Sequence, residues 1–489
     1  MKSYRKALCL VFTIAFALAP FRGMARAASE ADYYDEPGVR LLNQPVAEYR
    51  ARRAALMNEI KDGVVVVLGN VEEDNGIEAR YRQNNWIAYL TGVRTPGASL
   101  LLVPQGLPSL NGAREIVFIP PRNLQDERWT GIQLAPGEET ARGFGVERVM
   151  PTQGNAPIIS AQGSNSAEDN LMLKLKEAAQ LPAFKNAQGQ TSMKVYTVAP
   201  RNVRNGYVRE YQFVEELKKE LPGVEIVTGD RSLVRLVGEM RKAKSAAELV
   251  LLQKAIDITG EAQRDIVRSL KPGMYEYEVQ AILEAAFTRG GAERPGFPSI
   301  VGSGLFSTIL HYSENHKRID AGDTVVCDIG AEYSLYTADI TRTYPASGKF
   351  TERQRAVYQL VLDTQTASAA HWKPGMTMSD LNRFAKEFMS KSPLRAKDVD
   401  GKEYSMDHFF IHGLGHYLGM DVHDTGDYAR PLRPGEVFTI EPGIYIPTEN
   451  LGVRIEDDYV ITPEQTIRKM SEKIPSTIEE IERLMAVRR

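Results

Sequence analysis

The chain has 489 residues, 43% of them hydrophobic, which is ample for two domains with separate cores. Its 60 Lys and Arg stand against 63 Asp and Glu, a net charge of −3. That balance argues against nucleic acid as a partner and against a basic surface for anionic lipid.

The N-terminus reads as an address. Lys2, Arg5 and Lys6 precede an apolar run over 7–20, and Ala25-Arg26-Ala27 offers small residues for cleavage. The run is shorter than the about 20 residues a membrane span needs, and no later stretch reaches that length. The expectation is a signal peptide over 1–27, no membrane partner after its removal, and an exported protein, periplasmic or secreted. The remainder then carries 55 basic and 63 acidic residues, net −8. Cys9 lies in the apolar run, so Cys327 is left alone and no intrachain disulfide is expected.

Residues 28–231 are predicted to form an α/β domain. A helix over 47–60 leads into Asp62-Gly63-Val-Val-Val-Val67, whose continuous apolar run suits a strand covered on both faces. Further strands are predicted at 98–103, 115–119, 195–199 and 224–227, with helices at 170–179 and 207–221. Residues 151–192, rich in Gly, Ser, Asn and Gln, read as a surface excursion around one helix. The stretch Tyr81-Arg-Gln-Asn-Asn-Trp86 reads as a packed aromatic turn, with a pocket-shaping role as the alternative.

From residue 232 to 489 the pattern becomes α+β with an internal repeat. Leu252, Ala255, Ile256 and Thr259 keep helical spacing, as do Val279, Ile282, Leu283 and Ala286. Lys271-Pro-Gly-Met274 separates these two helices. The same tetrapeptide returns as Lys373-Pro-Gly-Met376, between helices over 351–370 and 379–390. Thr351 with Gln354 makes a capping box for the former. The strands repeat as well: Gly322-Asp-Thr-Val-Val-Cys-Asp328-Ile-Gly330 matches Gly435-Glu-Val-Phe-Thr-Ile-Glu441-Pro-Gly443 in spacing. Each copy of a helix-pair-plus-sheet unit ends an apolar strand on a carboxylate.

A carboxylate there is expensive to bury unless it is paired or coordinated. A hairpin centred on Tyr333-Ser334 sets Asp328 directly opposite Asp339, with Cβ atoms roughly 5 Å apart, and a cation resolves the repulsion. Glu441 and Glu456 offer the same geometry in the second copy, although Pro442 implies a bulge or a sheet edge. Between them lies His412-Gly-Leu-Gly-His416-Tyr-Leu-Gly-Met-Asp-Val-His423-Asp424, three of the chain's seven histidines on a glycine-rich bend. That density favours a metal or acid–base site over a polar turn. Asp328, Asp339, His416, Glu441 and Glu456 give one imidazole, four carboxylates and no thiolate. The set suits Mn²⁺ better than a structural zinc, with Zn²⁺ or Co²⁺ as alternatives. Four anions exceed what one ion needs, so two divalent ions set for hydrolysis are expected.

His412–Asp424, His311-Tyr-Ser-Glu-Asn315, Asp328-Ile-Gly, Asp339-Ile-Thr-Arg-Thr-Tyr344, Ile440-Glu-Pro-Gly443 and Val453-Arg-Ile-Glu-Asp457 together resemble the aminopeptidase P and prolidase family. These are metallopeptidases of the pita-bread fold, and the likeness covers 232–467 in order. Arg80–Gly92 and the strands after it resemble the family's smaller N-terminal domain more loosely. The resemblance implies that Asp328 binds one ion and His416 with Glu441 the other, while Asp339 and Glu456 span the pair. A bridging hydroxide attacks the carbonyl before proline, and Glu441 takes the proton. His423 hydrogen-bonds the oxyanion, His311 and His412 line the proline side, and Arg454 supports the carboxylates or meets substrate. The implied activity removes the N-terminal residue of Xaa-Pro peptides. A prolidase restricted to Xaa-Pro dipeptides is the nearest alternative, and a non-catalytic peptide-binding protein on the same fold the second. Dimeric or tetrameric assembly is left open.

Overall fold

The computed structural model describes residues 42–72, 81–153, 169–202 and 207–487. The predicted signal peptide, with Cys9, lies outside them. Among the described residues no helix is long and apolar enough to cross a membrane.

The first domain is a six-stranded sheet in the order β4-β3-β2-β1-β5-β6. Its strands are β1 Gly63–Leu68, β2 Ser99–Leu107, β3 Ala113–Ile119, β4 Arg148–Pro151, β5 Lys194–Tyr196 and β6 Glu225–Ile226. All six residues of β1 are buried, as its apolar run requires, with β2 antiparallel on one side and β5 parallel on the other. Val64, Val66 and Leu68 point into a core shared with helices α3 (Asp169–Ala178) and α4 (Val208–Glu220). Val65 and Val67 point the other way, towards α1 (Val46–Glu59) and α2 (Asn85–Thr91). That second core does not stop at the domain edge. It continues through Leu252, Ala255, Tyr336, Ile340 and Val437 of the second domain.

Two features of this domain differ from the sequence reading. Strand β4 carries no strong alternation and was not expected. The segment 81–86 is no isolated turn: Asn84 caps α2 by accepting from Ile87 N, and Asn85 and Trp86 are helical.

The second domain holds α5 (Leu233–Lys242), α6 (Ala246–Ser269), α7 (Glu276–Arg289), α8 (Glu352–His371) and α9 (Met378–Ser390). Both bonds of the Thr351–Gln354 capping box are present. Each Lys-Pro-Gly-Met closes the same turn, with Met274 N bonding Lys271 O at 3.4 Å and Met376 N bonding Lys373 O at 3.0 Å. Gly273 and Gly375 take φ of +91° and +95°, the left-handed position after proline that a type II turn reserves for glycine.

After each helix pair come the strands. In the first half β8 (Thr324–Ile329) lies between β7 (Ile300–Ser303) and β9 (Ile340–Pro345). In the second, β10 (Val437–Ile440) pairs β13 (Asp457–Ile461), and β11 (Gly443–Ile446) pairs β12 (Leu451–Arg454).

The predicted hairpin register needs correcting. The tip is Ser334-Leu335, both at positive φ (51° and 67°), not Tyr333-Ser334. Asp328 therefore pairs with Thr341. A shift of two residues preserves the face, so Asp339 stays on the Asp328 side as a diagonal neighbour rather than a direct one.

Candidate metal centre

All nine residues singled out in the sequence line one cavity of about 600 Å³: His311, Asp328, Asp339, His412, His416, His423, Glu441, Arg454 and Glu456. Its apolar wall comes from Phe297, Pro298, Ile300, Leu310 and Val422.

The two strand pairs deliver the carboxylates where their ladders break. Glu441 falls between the pairs Ile440–Asp457 and Gly443–Arg454, directly opposite Glu456. Pro442 has no N–H to continue the ladder, which frees the glutamate from the regular pleat. The first half breaks at Gly330, where an added Cβ would lie 1.9 Å from Ala338 O. The two breaks meet: Glu456 N donates to Thr341 O (3.1 Å), and Asp339 N donates to Asp458 Oδ2 (3.2 Å).

His416 Nε2 stands 3.3 Å from Asp339 Oδ2, 3.5 Å from Glu441 Oε1 and 4.0 Å from Glu456 Oε1. Ligand atoms of Asp339, His416 and Glu456 all lie within 4.8 Å of one another. The glycine-rich bend permits this approach, because a Cβ on Gly415 would lie 2.0 Å from Thr439 O. His416 Nδ1 lies 3.1 Å from its own chain's Tyr417 O. With the proton there, the Nε2 lone pair faces the carboxylates. Asp328 is in contact with Asp339, and its Oδ2 accepts from Arg454 Nη2 at 2.7 Å.

Burial, then the neighbouring carboxylates, pushes Asp339 and Glu456 far above the usual carboxyl range, and burial raises Glu441. Asp328 Oδ1, Asp339 Oδ1 and Glu456 Oε1 are buried without a hydrogen-bond partner. Four clustered acids with three orphaned oxygens and one aimed imidazole form a donor set that fits divalent ions.

Two further histidines are kept neutral near pH 7. Burial and the Arg454 charge lower His412 to about 4, and burial with His416 lowers His423. Arg454 Nη1 donates to Tyr445 Oη (2.9 Å), leaving the phenol proton for His412 Nε2 (2.8 Å). His412 then carries its proton on Nδ1, 2.8 Å from Gly413 O. The His423 ring sits 4.3 Å from that of His416, and it and His311 are exposed at the cavity.

Sequence reasoning missed Tyr445, Thr341 and Asp458. Tyr445 shares the face of Glu441 by strand periodicity, a signal within reach. Thr341 Oγ1 donates to Glu456 Oε2 at 2.6 Å, and only the true register exposes it. A buried arginine was missed too. Arg241 pairs Asp421 (2.6 Å) and Asp424 (2.7 Å) at the end of the histidine bend, while Asn85 of the first domain holds Asp421 at 2.7 Å.

Residues 250–463 match metallopeptidase family M24, and 49–170 match the aminopeptidase P N-terminal domain. The chain is 32% identical to the Xaa-Pro aminopeptidase of Escherichia coli K12, over 90% of this chain and 98% of that one. It is 28% identical to the human Xaa-Pro dipeptidase, over 92% and 95%. A putative aminopeptidase P from Bacillus anthracis superposes with a TM-score of 0.75 at 27% identity, covering 90% of this chain and 98% of its own.

Proposed function

The chain belongs to metallopeptidase family M24, carrying that family's domain behind an aminopeptidase P N-terminal domain, and we propose on that basis how its residues act. It is a metal-dependent hydrolase that releases the N-terminal residue from Xaa-Pro peptides. The observation that carries this reading is the cluster of four carboxylates, three of them buried with an orphaned oxygen, that lines an apolar-walled cavity together with His416.

Asp328 would hold one divalent ion and His416 with Glu441 the other, with Asp339 and Glu456 shared. Two ions supply Lewis acidity and water activated at neutral pH. Mn²⁺ is the proposed metal, from the oxygen-rich donor set.

The chain's own groups do the rest. Glu441 takes a proton from the attacking water, a task suited to a carboxyl whose affinity for protons is raised by burial. His423, neutral, donates a ring N–H to the developing oxyanion. His311 and the Tyr445-tethered His412 line the proline side. Arg454, bonded to both Asp328 and Tyr445, fixes the acids relative to that side.

The test is turnover of Xaa-Pro-Yaa peptides against Xaa-Pro dipeptides, with Mn²⁺ added to demetallated protein. Cleavage of the longer peptides supports the proposal, and cleavage of dipeptides alone assigns a prolidase. Export rests on residues 1–27 and is tested by sequencing the mature N-terminus from a cell envelope fraction.

A further inference from the structure

Two buried glutamines occupy the same place in the two halves, and neither belongs to the cavity. Gln263 on α6 and Gln365 on α8 are each 1% exposed. Each precedes the lysine of its Lys-Pro-Gly-Met by eight residues. Gln263 Nε2 donates to Cys327 O (3.2 Å) and Ile340 O (3.0 Å). Gln365 Nε2 donates to Ile440 O (2.9 Å) and Ile455 O (3.1 Å), with Asp457 Oδ2 at 3.1 Å.

The four carbonyls are equivalent pairs. Cys327 and Ile440 immediately precede Asp328 and Glu441. Ile340 and Ile455 follow Asp339 and precede Glu456. Chemistry fixes the orientation of each amide, since its nitrogen faces only acceptors and Gln263 Oε1 receives the Tyr344 hydroxyl at 2.8 Å. The backbone ladders end at just these points: the first at Ile329–Ile340, the second at Ile440–Asp457. A side-chain amide therefore ties the two strands together where the backbone stops doing so and the carboxylates leave.

We propose that Gln263 and Gln365 are matched positioning residues, each fixing the spacing of the metal-binding carboxylates of its own half. The inference rests on the two-ion reading above. Neither glutamine touches an acid of the cavity, so each acts through the two strands it joins. Loss of the donor leaves two buried carbonyls short of a partner and lets the strand ends part. Support of this kind around a metal site is worth roughly 10–100-fold in affinity.

The test titrates Mn²⁺ calorimetrically into demetallated wild type, Gln263→Leu and Gln365→Leu, with the electron paramagnetic resonance spectrum of the loaded proteins as a second readout. Gln263→Leu should weaken the binding step assigned to Asp328, and Gln365→Leu the step assigned to His416 and Glu441. Each loss should be roughly 10–100-fold, with a changed Mn²⁺ spectrum. Leu252→Ala, a cavity in α6 facing the first domain, should lower the melting temperature and leave both steps alone. Gln→Met variants, equally unbranched and lacking the donor, replace any Leu variant that does not fold. Unchanged Mn²⁺ affinity and spectrum in folded variants would overturn the proposal, as would loss confined to one shared step. A wild type that binds no divalent ion sinks the metal reading itself, which is a separate outcome.

Discussion

In the first half of the metallopeptidase domain Asp328 stands opposite Thr341, and Asp339 falls opposite Gly330. In the second half Glu441 falls opposite Glu456, and Gly443 stands opposite Arg454. The frames correspond at the strand ends and at the proline-glycine turns, although their hairpins differ in length, but the second acid has moved by two positions. Thr341 occupies the place that Glu456 holds, and Arg454 the place that Asp339 holds. Each then crosses to the other half. Arg454 pairs Asp328 at 2.7 Å, and Thr341 donates to Glu456 at 2.6 Å. A duplicated scaffold thus gives two strand ends for acids, while unequal side chains on it make a single joined site in place of two isolated ones.

The largest effects should come from the acids. Asp339→Ala and Glu456→Ala are expected to lose bound metal and turnover together, on the order of 10³-fold or more in kcat. Thr341→Val, at the position equivalent to Glu456, should keep its metal and lose less than about tenfold. Metal analysis beside steady-state kinetics decides this. Equal metal loss in Thr341→Val would mean that the frame, rather than its unequal dressing, holds the ions.

The histidine bend is the next place to break the comparison, because among the described residues the acid cluster takes its histidine, His416, from the second half. His416→Ala should lose metal with activity. His423, 4.3 Å ring to ring from His416 but outside the acid cluster, should behave otherwise. Its removal is expected to keep metal and cost about 10²–10³ in kcat, the usual loss for one oxyanion donor. Metal loss in His423→Ala equal to that in His416→Ala would make His423 a ligand.

A smaller effect separates three consecutive acids. Glu456 and Asp458 face Asp339, and burial first, then neighbouring carboxylates, raises their affinity for protons. Asp457 points the other way. Burial would raise it as well, but Arg342 and Lys469 outweigh burial and hold it below the ordinary carboxyl range. For the raised groups the demetallated fold binds protons better than the unfolded chain does. Their stabilisation is therefore complete below about pH 4 and is lost as pH rises through their folded values. Asp457 contributes the opposite slope, present above its unfolded value and lost as pH falls through its lowered one. Asp458→Asn, which removes one raised group, should thus lessen the fall in melting temperature of demetallated protein as pH rises above about 4, and saturating Mn²⁺ should do the same by replacing protons. Calorimetry across that range checks it. An Asp458→Asn profile parallel to that of the wild type would contradict the raised carboxyls.

Much of this was legible because it is periodic or spaced. The buried strand β1, the helix pairs, the capping box at Thr351 and the repeat all declare themselves in local pattern. The nine cavity residues were legible as motifs. The register was not. Ser334-Leu335 takes a tight hairpin turn with both residues at positive φ and neither glycine nor asparagine to mark it. The turn is held by burial and by Asn43 Nδ2 of the first domain, 2.7 Å from Ser334 Oγ, a contact 291 residues away in sequence. Thr341 was hidden by the same shift. Arg241 and the two glutamines were hidden for a different reason. Inside helical patterns they read as ordinary polar positions, and only tertiary packing shows that they are buried.

The smallest effect expected is at Cys327, and the repeat explains why. Its equivalent in the second half is Ile440, so the thiol fills an aliphatic position on β8 immediately before Asp328. It is fully buried and unpaired, and burial pushes the thiol's pKa well up, away from the reactive thiolate. In this setting cysteine packs as a small hydrophobe. Cys327→Val, larger by about one methyl group, should cost about 1–3 kcal/mol and leave Mn²⁺ binding intact, since the contact that matters to Gln263 is the backbone carbonyl. Reductant should leave the melting temperature unchanged, and a thiol reagent should label the protein only after unfolding. Labelling of the folded, metal-loaded protein would show that β8 opens on its own. It would then be a poor strand on which to hold an ion, and the first half would be the weaker of the two.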